Sequence, residues 1–216
     1  MKRSLIELFA DNIPLMNECL EITKTTYRSY DPAYYLYNQV LAYEYENKFT
    51  HDFIELLYVT LTAWGMNSRK AKLSEFDVFE NTILSHKEDF DKLKDKKIIA
   101  LDNDCLLVLN KLFSELELVA SDVPLVTFSK AMHFILPELI GPIDRKYTIT
   151  FFDGYQHIEK DKESQFFQFM QIHTKYAAFA KKVDLSSYID KDSWNRSIPK
   201  IIDNIIIGYI KKNGEN

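Results

Sequence analysis

The chain has 216 residues, 46% hydrophobic and 27% charged, enough apolar material for one large globular domain and too much for a disordered chain. Only five glycines are present, which argues against a glycine-rich phosphate loop and against a turn-rich all-β fold. The net charge of −5 excludes a whole-molecule electrostatic grip on nucleic acid and leaves room only for a local basic face.

Helix signals dominate from the start. Asn12 is placed to cap a helix with Pro14 in its first turn and Leu15, Cys19 and Ile22 on one face. Asp31-Pro32 is a second start of the same kind, followed by Leu36, Tyr37, Val40 and Leu41 at helical spacing. Thr50 is expected to cap a third helix with Phe53, Leu57, Leu61 and Trp64 in a stripe and Gly65 as its stop. Ser74 with Asp77 three residues on is a capping-box pattern ahead of Phe76, Phe79, Ile83 and Leu84. Lysine-rich residues 94–97 read as a solvated connection. Asn103 or Asp104 opens a helix carrying Leu106, Leu109, Leu112, Phe113 and Leu116.

A helix over about residues 127–136 follows, ended by Pro137. Polar residues 159–163 lead into a long helix with Phe166, Met170, His173, Ala177 and Ala180 on one side. The last helix begins near Ser197-Ile-Pro199 and buries Ile201, Ile202, Ile205, Ile206 and Tyr209. Strand signals are confined to residues 97–101 and 149–152, the latter in a helical context. The spacing predicts an all-α domain of about eight or nine helices, with residues 1–120 and 121–216 as candidate lobes around a cleft.

Other features bound the setting. Cys19 and Cys105 lie far apart, outside any paired motif, and read as small core residues in a reducing compartment. Glu7 and Asp11 interrupt the basic N-terminus, against a secretory signal. The most apolar run, residues 201–210, contains Asp203 and Asn204 and is far shorter than the roughly 20 residues that span a bilayer. The expectation is a soluble, cytoplasmic protein with no membrane partner. The five histidines have no metal-ligand spacing, and no metal or other cofactor is expected.

The richest segment is Phe128-Ser-Lys-Ala-Met-His-Phe-Ile-Leu-Pro-Glu-Leu-Ile-Gly-Pro-Ile-Asp-Arg-Lys-Tyr-Thr148. Lys130 is expected at about the first turn of its helix. There the helix dipole and partial burial both push an amine toward its neutral, nucleophilic form. The plainer alternative is a surface lysine whose stem lies on apolar neighbours. Asp144 follows the turn-forming Gly141-Pro142-Ile143. It is placed either to orient water, accept a proton or stabilise a cation, or simply to cap the next helix, with Arg145 in salt-bridge reach. His133, one turn beyond Lys130, reads as a hydrogen-bonded core or rim residue. In Trp64-Gly-Met-Asn-Ser-Arg69, Asn67 and Arg69 are candidates for holding an anion, against a simple helix end with tryptophan inside.

Seven tyrosines (27, 30, 34, 35, 37, 43 and 45) crowd into residues 27–45. Tyr34, Tyr35 and Tyr37 cannot all face one core, because consecutive helical positions point in different directions. A stacking or contact surface, for a homodimer or another protein, is one expectation, and a rim of amphipathic tyrosines is the other.

Residues 121–152 resemble, at a distance, the helix-hairpin-helix DNA glycosylases, in which Lys-x-Ala on a helix is followed by a Pro-x-Asp segment. The matching positions are Lys130 with Ala131 and Pro142 with Asp144. The resemblance implies an all-helical, two-lobed enzyme in which the lysine attacks the sugar carbon of a damaged nucleotide. The aspartate would activate that amine and stabilise the sugar cation. It makes Arg69, Arg145 and Lys146 candidate phosphate contacts. The segment departs from the family in two ways: Pro124-Leu-Val-Thr-Phe-Ser-Lys130 has no Gly-x-Gly, and the lysine–aspartate interval is shorter. Two functional expectations therefore stand. One is a nucleic-acid-related protein with a degenerate glycosylase-like architecture. The other is a non-catalytic module that binds protein through the tyrosine-rich surface.

Overall fold

A computed structural model of the protein describes residues 3–26, 31–67 and 72–214. It is 68% helical, with eleven α-helices and no strand among the described residues. In chain order they are α1 (Leu5–Phe9), α2 (Ile13–Thr26), α3 (Pro32–Leu41), α4 (His51–Leu61), α5 (Phe76–Ser85), α6 (Lys87–Asp91), α7 (Asn103–Glu115), α8 (Leu125–Ile135), α9 (Thr150–Asp153), α10 (Lys162–Lys182) and α11 (Ile198–Lys212). The number exceeds the eight or nine expected because α1, α6 and α9 span five, five and four residues, too few to show a period. Residues 97–101 hold a short 3₁₀ turn rather than an extended piece. None of these helices is long and apolar enough to cross a membrane.

Most predicted caps form. Asn12 Oδ1 accepts from Leu15 N–H at 3.2 Å, Asp31 Oδ1 from Ala33 N–H at 2.8 Å and Ser197 Oγ from Lys200 N–H at 3.4 Å. Thr50 caps α4, and Asp102, one residue ahead of the expected start, caps α7. Each satisfies a backbone donor that a helix start leaves open. The Ser74–Asp77 capping box does not form. Ser74 N–H instead donates to Leu118 O, beside an isolated bridge between Leu73 and Val119, and Glu75 precedes α5 without a side-chain cap.

The helix that organises the interior is α11. Residues 199–208 are all buried, as is Ile210, so the helix is enclosed on every side. It packs lengthwise on α2, where Gly208 lets the helices touch: a Cβ there would lie 1.9 Å from the Cys19 carbonyl oxygen. A single hydrophobic cluster runs from Leu5 to Ile210, with α1 packed on α10 and α4 packed on α8. Cys19 and Cys105 are both buried free thiols in that core.

The tyrosines divide as helical geometry requires. Tyr37 is buried, Tyr34 half-buried and Tyr35 64% exposed. Tyr43 and Tyr45 pack against the core. Tyr27 and Tyr30 lie outside the described residues.

Candidate functional site

Five segments, counting Ala33 of α3, converge on one cavity of about 390 Å³. Its lining includes Trp64 and Gly65 after α4, Lys130 on α8, Pro142, Asp144 and Tyr147 in the following return, and Trp194, Lys200, Asp203 and Ile207 on or before α11. That volume lies near the lower end of the range for small-molecule sites, roughly 300–1,000 Å³.

The return from α8 explains how Lys130 and Asp144 meet although Pro137 ends the helix early. Residues 136–143 fold back along the helix that precedes them. His133 Nδ1–H donates to the Ile140 carbonyl at 2.8 Å, and the Ser129 hydroxyl accepts from Ile143 N–H at 2.9 Å. From α10, His173 Nε2 accepts from Gly141 N–H at 3.2 Å. Gly141 is required here, since a Cβ would fall 2.6 Å from the buried Tyr176 ring. Three side-chain ties therefore hold the return in register. Burial keeps both imidazoles neutral at ordinary pH, lowering His133 to about 3 and His173 to about 4. In that state each uses one nitrogen as donor and the other as acceptor.

Lys130 is 6% exposed, and its Nζ lies 3.4 Å from Asp144 Oδ2, 3.4 Å from the Trp64 carbonyl and 5.7 Å from the centre of the Trp64 ring. The helix begins at Leu125, which puts Lys130 in its second turn. The sequence placed it in the first turn, to which the field of a helix start is confined. Asp144 serves both of its expected roles. Its Oδ1 accepts from Lys146 N–H at 2.8 Å and caps the turn Arg145–Ile149, which fixes the carboxylate and leaves Oδ2 facing the amine.

Behind the cavity stands an aromatic stack. Tyr37, Trp64 and Trp194 form a triangle of rings, Tyr37 lying 5.7 and 5.0 Å from the two tryptophans and these 6.2 Å from each other, and the Tyr37 hydroxyl is 3.4 Å from His133 Nε2. The Trp194 loop is pinned by Tyr34 O–H to the Asp192 carbonyl at 2.6 Å and by Arg196 to Asn38 Oδ1 at 2.9 Å. Tyr34 and Tyr37 of the tyrosine-rich stretch thus anchor and build this wall.

A second ion pair lines the same cavity. Lys200 Nζ lies 2.6 Å from Asp203 Oδ2 and 2.8 Å from Asn204 Oδ1. Thr148 joins the two pairs: its hydroxyl accepts from Asp144 N–H at 3.0 Å and lies 3.5 Å from Asp203 Oδ1. Burial pushes the Asp203 carboxyl above the ordinary carboxylate range, and the Lys200 ammonium opposes that shift.

The remaining predicted site residues spread out. Lys146 reaches over the Tyr147 ring at 5.5 Å, and Lys211 approaches the same ring at 5.7 Å. Burial, and then the charge of Lys146, lower the Lys211 amine below its usual value. Arg145 makes its hydrogen bond to the Gln156 carbonyl at 2.8 Å rather than to Asp144. Asn67 is exposed in the turn after Met66 and does not line the cavity. Arg69 lies outside the described residues. Sequence reasoning missed Lys200, Asp203, Trp194 and Lys211. The one signal that pointed toward them was the pair of polar residues Asp203 and Asn204 inside the isoleucine run.

Among the described residues no group of three or more His, Cys, Asp or Glu side chains is arranged to hold a metal ion. No protein-family model matches the chain, and neither the curated proteins nor the solved structures compared with it contain a match.

Proposed function

We propose that the cavity receives a nucleotide extruded from DNA and that Lys130 and Asp144 act at its sugar, as in a degenerate helix-hairpin-helix glycosylase. The observation that carries this reading is the placement of the Lys130 amine 3.4 Å from the Asp144 carboxylate, at a cavity walled by Trp64, Trp194 and Tyr147. Aromatic walls suit a flat base, and each base stacked on an aromatic side chain contributes about 1–3 kcal/mol.

Asp144 Oδ2 accepts a proton from the Lys130 ammonium and frees its lone pair. The amine nitrogen then bonds to the sugar C1′, and the glycosidic bond breaks with its electron pair leaving on the base nitrogen, which takes a proton from water. The hydroxide left by that water takes the proton from Asp144, and the carboxylate so restored offsets the positive charge of the alkylated amine.

Phosphate anchoring takes a different form from the family's hairpin. The first N–H of α8 is already occupied, because Leu125 N–H donates to Gln165 Oε1 at 3.3 Å. Lys146 and Lys211, which flank Tyr147 at the cavity, supply the local basic face instead. Two cations near one aromatic ring are costly unless an anion joins them, and their contribution falls with salt.

The test is equilibrium binding to a duplex with one tetrahydrofuran abasic site against the same duplex intact, over a salt series. Tighter binding to the abasic duplex, weakened in K146A/K211A with a shallower salt slope, supports the reading. Equal binding to both duplexes, or none, rejects it.

A further inference from the structure

The two ion pairs of the cavity differ in a way that assigns them different tasks. Asp144 has a side chain one-third exposed at the cavity mouth (34%), where a sugar on the DNA backbone would arrive. The Lys200 and Asp203 side chains are only 3% and 4% exposed, yet both still line the cavity.

A buried ion pair gives a fold little that well-packed apolar side chains would not, because desolvation offsets the attraction. Apart from Asn204, which binds Lys200, the rest of the surrounding run, Ile201, Ile202, Ile205, Ile206 and Ile207, is apolar. The charges therefore stand where packing alone would place aliphatic groups.

Their hydrogen-bonding capacity is also incompletely used. The Lys200 ammonium has three N–H groups, and two meet Asp203 Oδ2 and Asn204 Oδ1. Asp203 Oδ1 receives only the long 3.5 Å approach of the Thr148 hydroxyl. One strong donor and one strong acceptor remain side by side, next to the Trp194 ring, whose centre lies 5.7 Å from the Lys200 nitrogen.

We propose that Lys200 and Asp203 are specificity-determining residues that read the edge of the base, selecting bases with a ring carbonyl beside a ring N–H. Lys200 donates to the carbonyl oxygen and Asp203 accepts from the N–H. Uracil and hypoxanthine carry this edge. Cytosine and adenine, held in the same orientation, reverse it: an amino group faces the ammonium and a bare ring nitrogen faces the carboxylate. Donor then meets donor and acceptor meets acceptor, and both buried groups lose their partners. This selection rests on the cavity being a nucleotide site, as proposed above.

The experiment compares wild type with K200M/D203L on one duplex carrying 2′-fluoro uridine, cytidine, inosine or adenosine opposite a tetrahydrofuran gap. The 2′-fluoro sugar resists glycosidic cleavage, and the gap removes differences in pairing. A duplex with tetrahydrofuran at the test position reads the site without a base. Wild type is expected to prefer uracil over cytosine, and hypoxanthine over adenine, by on the order of tenfold or more. K200M/D203L is expected to lose both preferences while keeping its affinity for the base-free duplex. Preferences that persist in the variant, or that are missing in wild type while the base-free duplex still binds, overturn the selection and leave the nucleotide site standing. Failure of wild type to bind the base-free duplex better than intact DNA rejects the site and the selection together. Should the double variant not fold, K200Q, which keeps a donor without the charge, carries the same comparison with reduced preferences expected.

Discussion

Removing one partner of the Lys200–Asp203 pair and removing both have opposite expected consequences for stability. Lys200→Met leaves the Asp203 carboxylate in a site that is 3% exposed, with only the distant Thr148 hydroxyl to meet it. Breaking a buried pair in this way costs about 3–5 kcal/mol. The lost ammonium also releases the restraint on the carboxyl, whose affinity for protons burial already raises. A carboxyl whose folded-state value lies above its unfolded value binds a proton in the native state first. The contribution of this carboxyl to the variant's stability is therefore greatest in acid and is lost as pH rises through its folded-state value. The deficit against wild type should therefore be smaller at pH 5 than at pH 8. In K200M/D203L both charges are gone, and the residual loss comes from Asn204, which keeps its 2.7 Å bond to Asn195, and from Thr148. That variant should lie within about 2 kcal/mol of wild type, with no such pH dependence. Urea unfolding followed by circular dichroism at pH 5 and pH 8 measures all three proteins. A double variant as unstable as K200M would show that the pair supports the fold itself, and the case for its role in the cavity would fail.

Three further outcomes follow from the packing and the buried ionisable groups. Gly208→Ala should destabilise by about 3 kcal/mol or more, since its Cβ meets the Cys19 carbonyl at 1.9 Å. Helix propensity alone predicts a gain of up to about 1 kcal/mol, so the sign of the change in urea unfolding decides. His173, lowered to about 4 by burial, stays neutral in the native state while the unfolded chain protonates near 6.5. Stability is thus lost as pH falls from 6.5 to 4, by about 3 kcal/mol for this group, and His173→Gln should flatten that part of the acid-unfolding profile. Lys48 donates to the Phe134 and Ile135 carbonyls at the end of α8, and burial lowers its amine to about 8. Its native form sheds its proton before the unfolded chain does. Wild type should therefore gain up to about 3 kcal/mol relative to Lys48→Met between pH 8 and 10.5, read by denaturant unfolding at both values.

The helices were legible in the sequence wherever a cap and a long apolar period coincided, as at Asn12, Asp31, Thr50 and Ser197. The Lys130–Asp144 pairing was legible as a pattern of residues, and the means of bringing the two together was not. It depends on His133 and Ser129 binding a returning backbone and on His173 arriving from α10, and only the fold supplies those contacts. Lys200 and Asp203 escaped notice for a different reason. A helix buried on all sides has no polar face to mark by period, so Asp203 read as an interruption of an apolar run and Lys200, just ahead of that run, carried no signal. Trp194 sits in a loop whose position is set by Tyr34, Asn38 and Arg196, and nothing in its neighbours signals a cavity.

Borohydride trapping tests the central claim most directly, namely that the Lys130 amine and the Asp144 carboxylate act together on a nucleotide sugar. An abasic duplex incubated with wild-type protein and borohydride should yield a covalent adduct at Lys130. The adduct should be absent with Lys130→Met and strongly reduced with Asp144→Asn. A folded wild-type protein that gives no adduct, or an adduct that survives loss of Lys130, would contradict it.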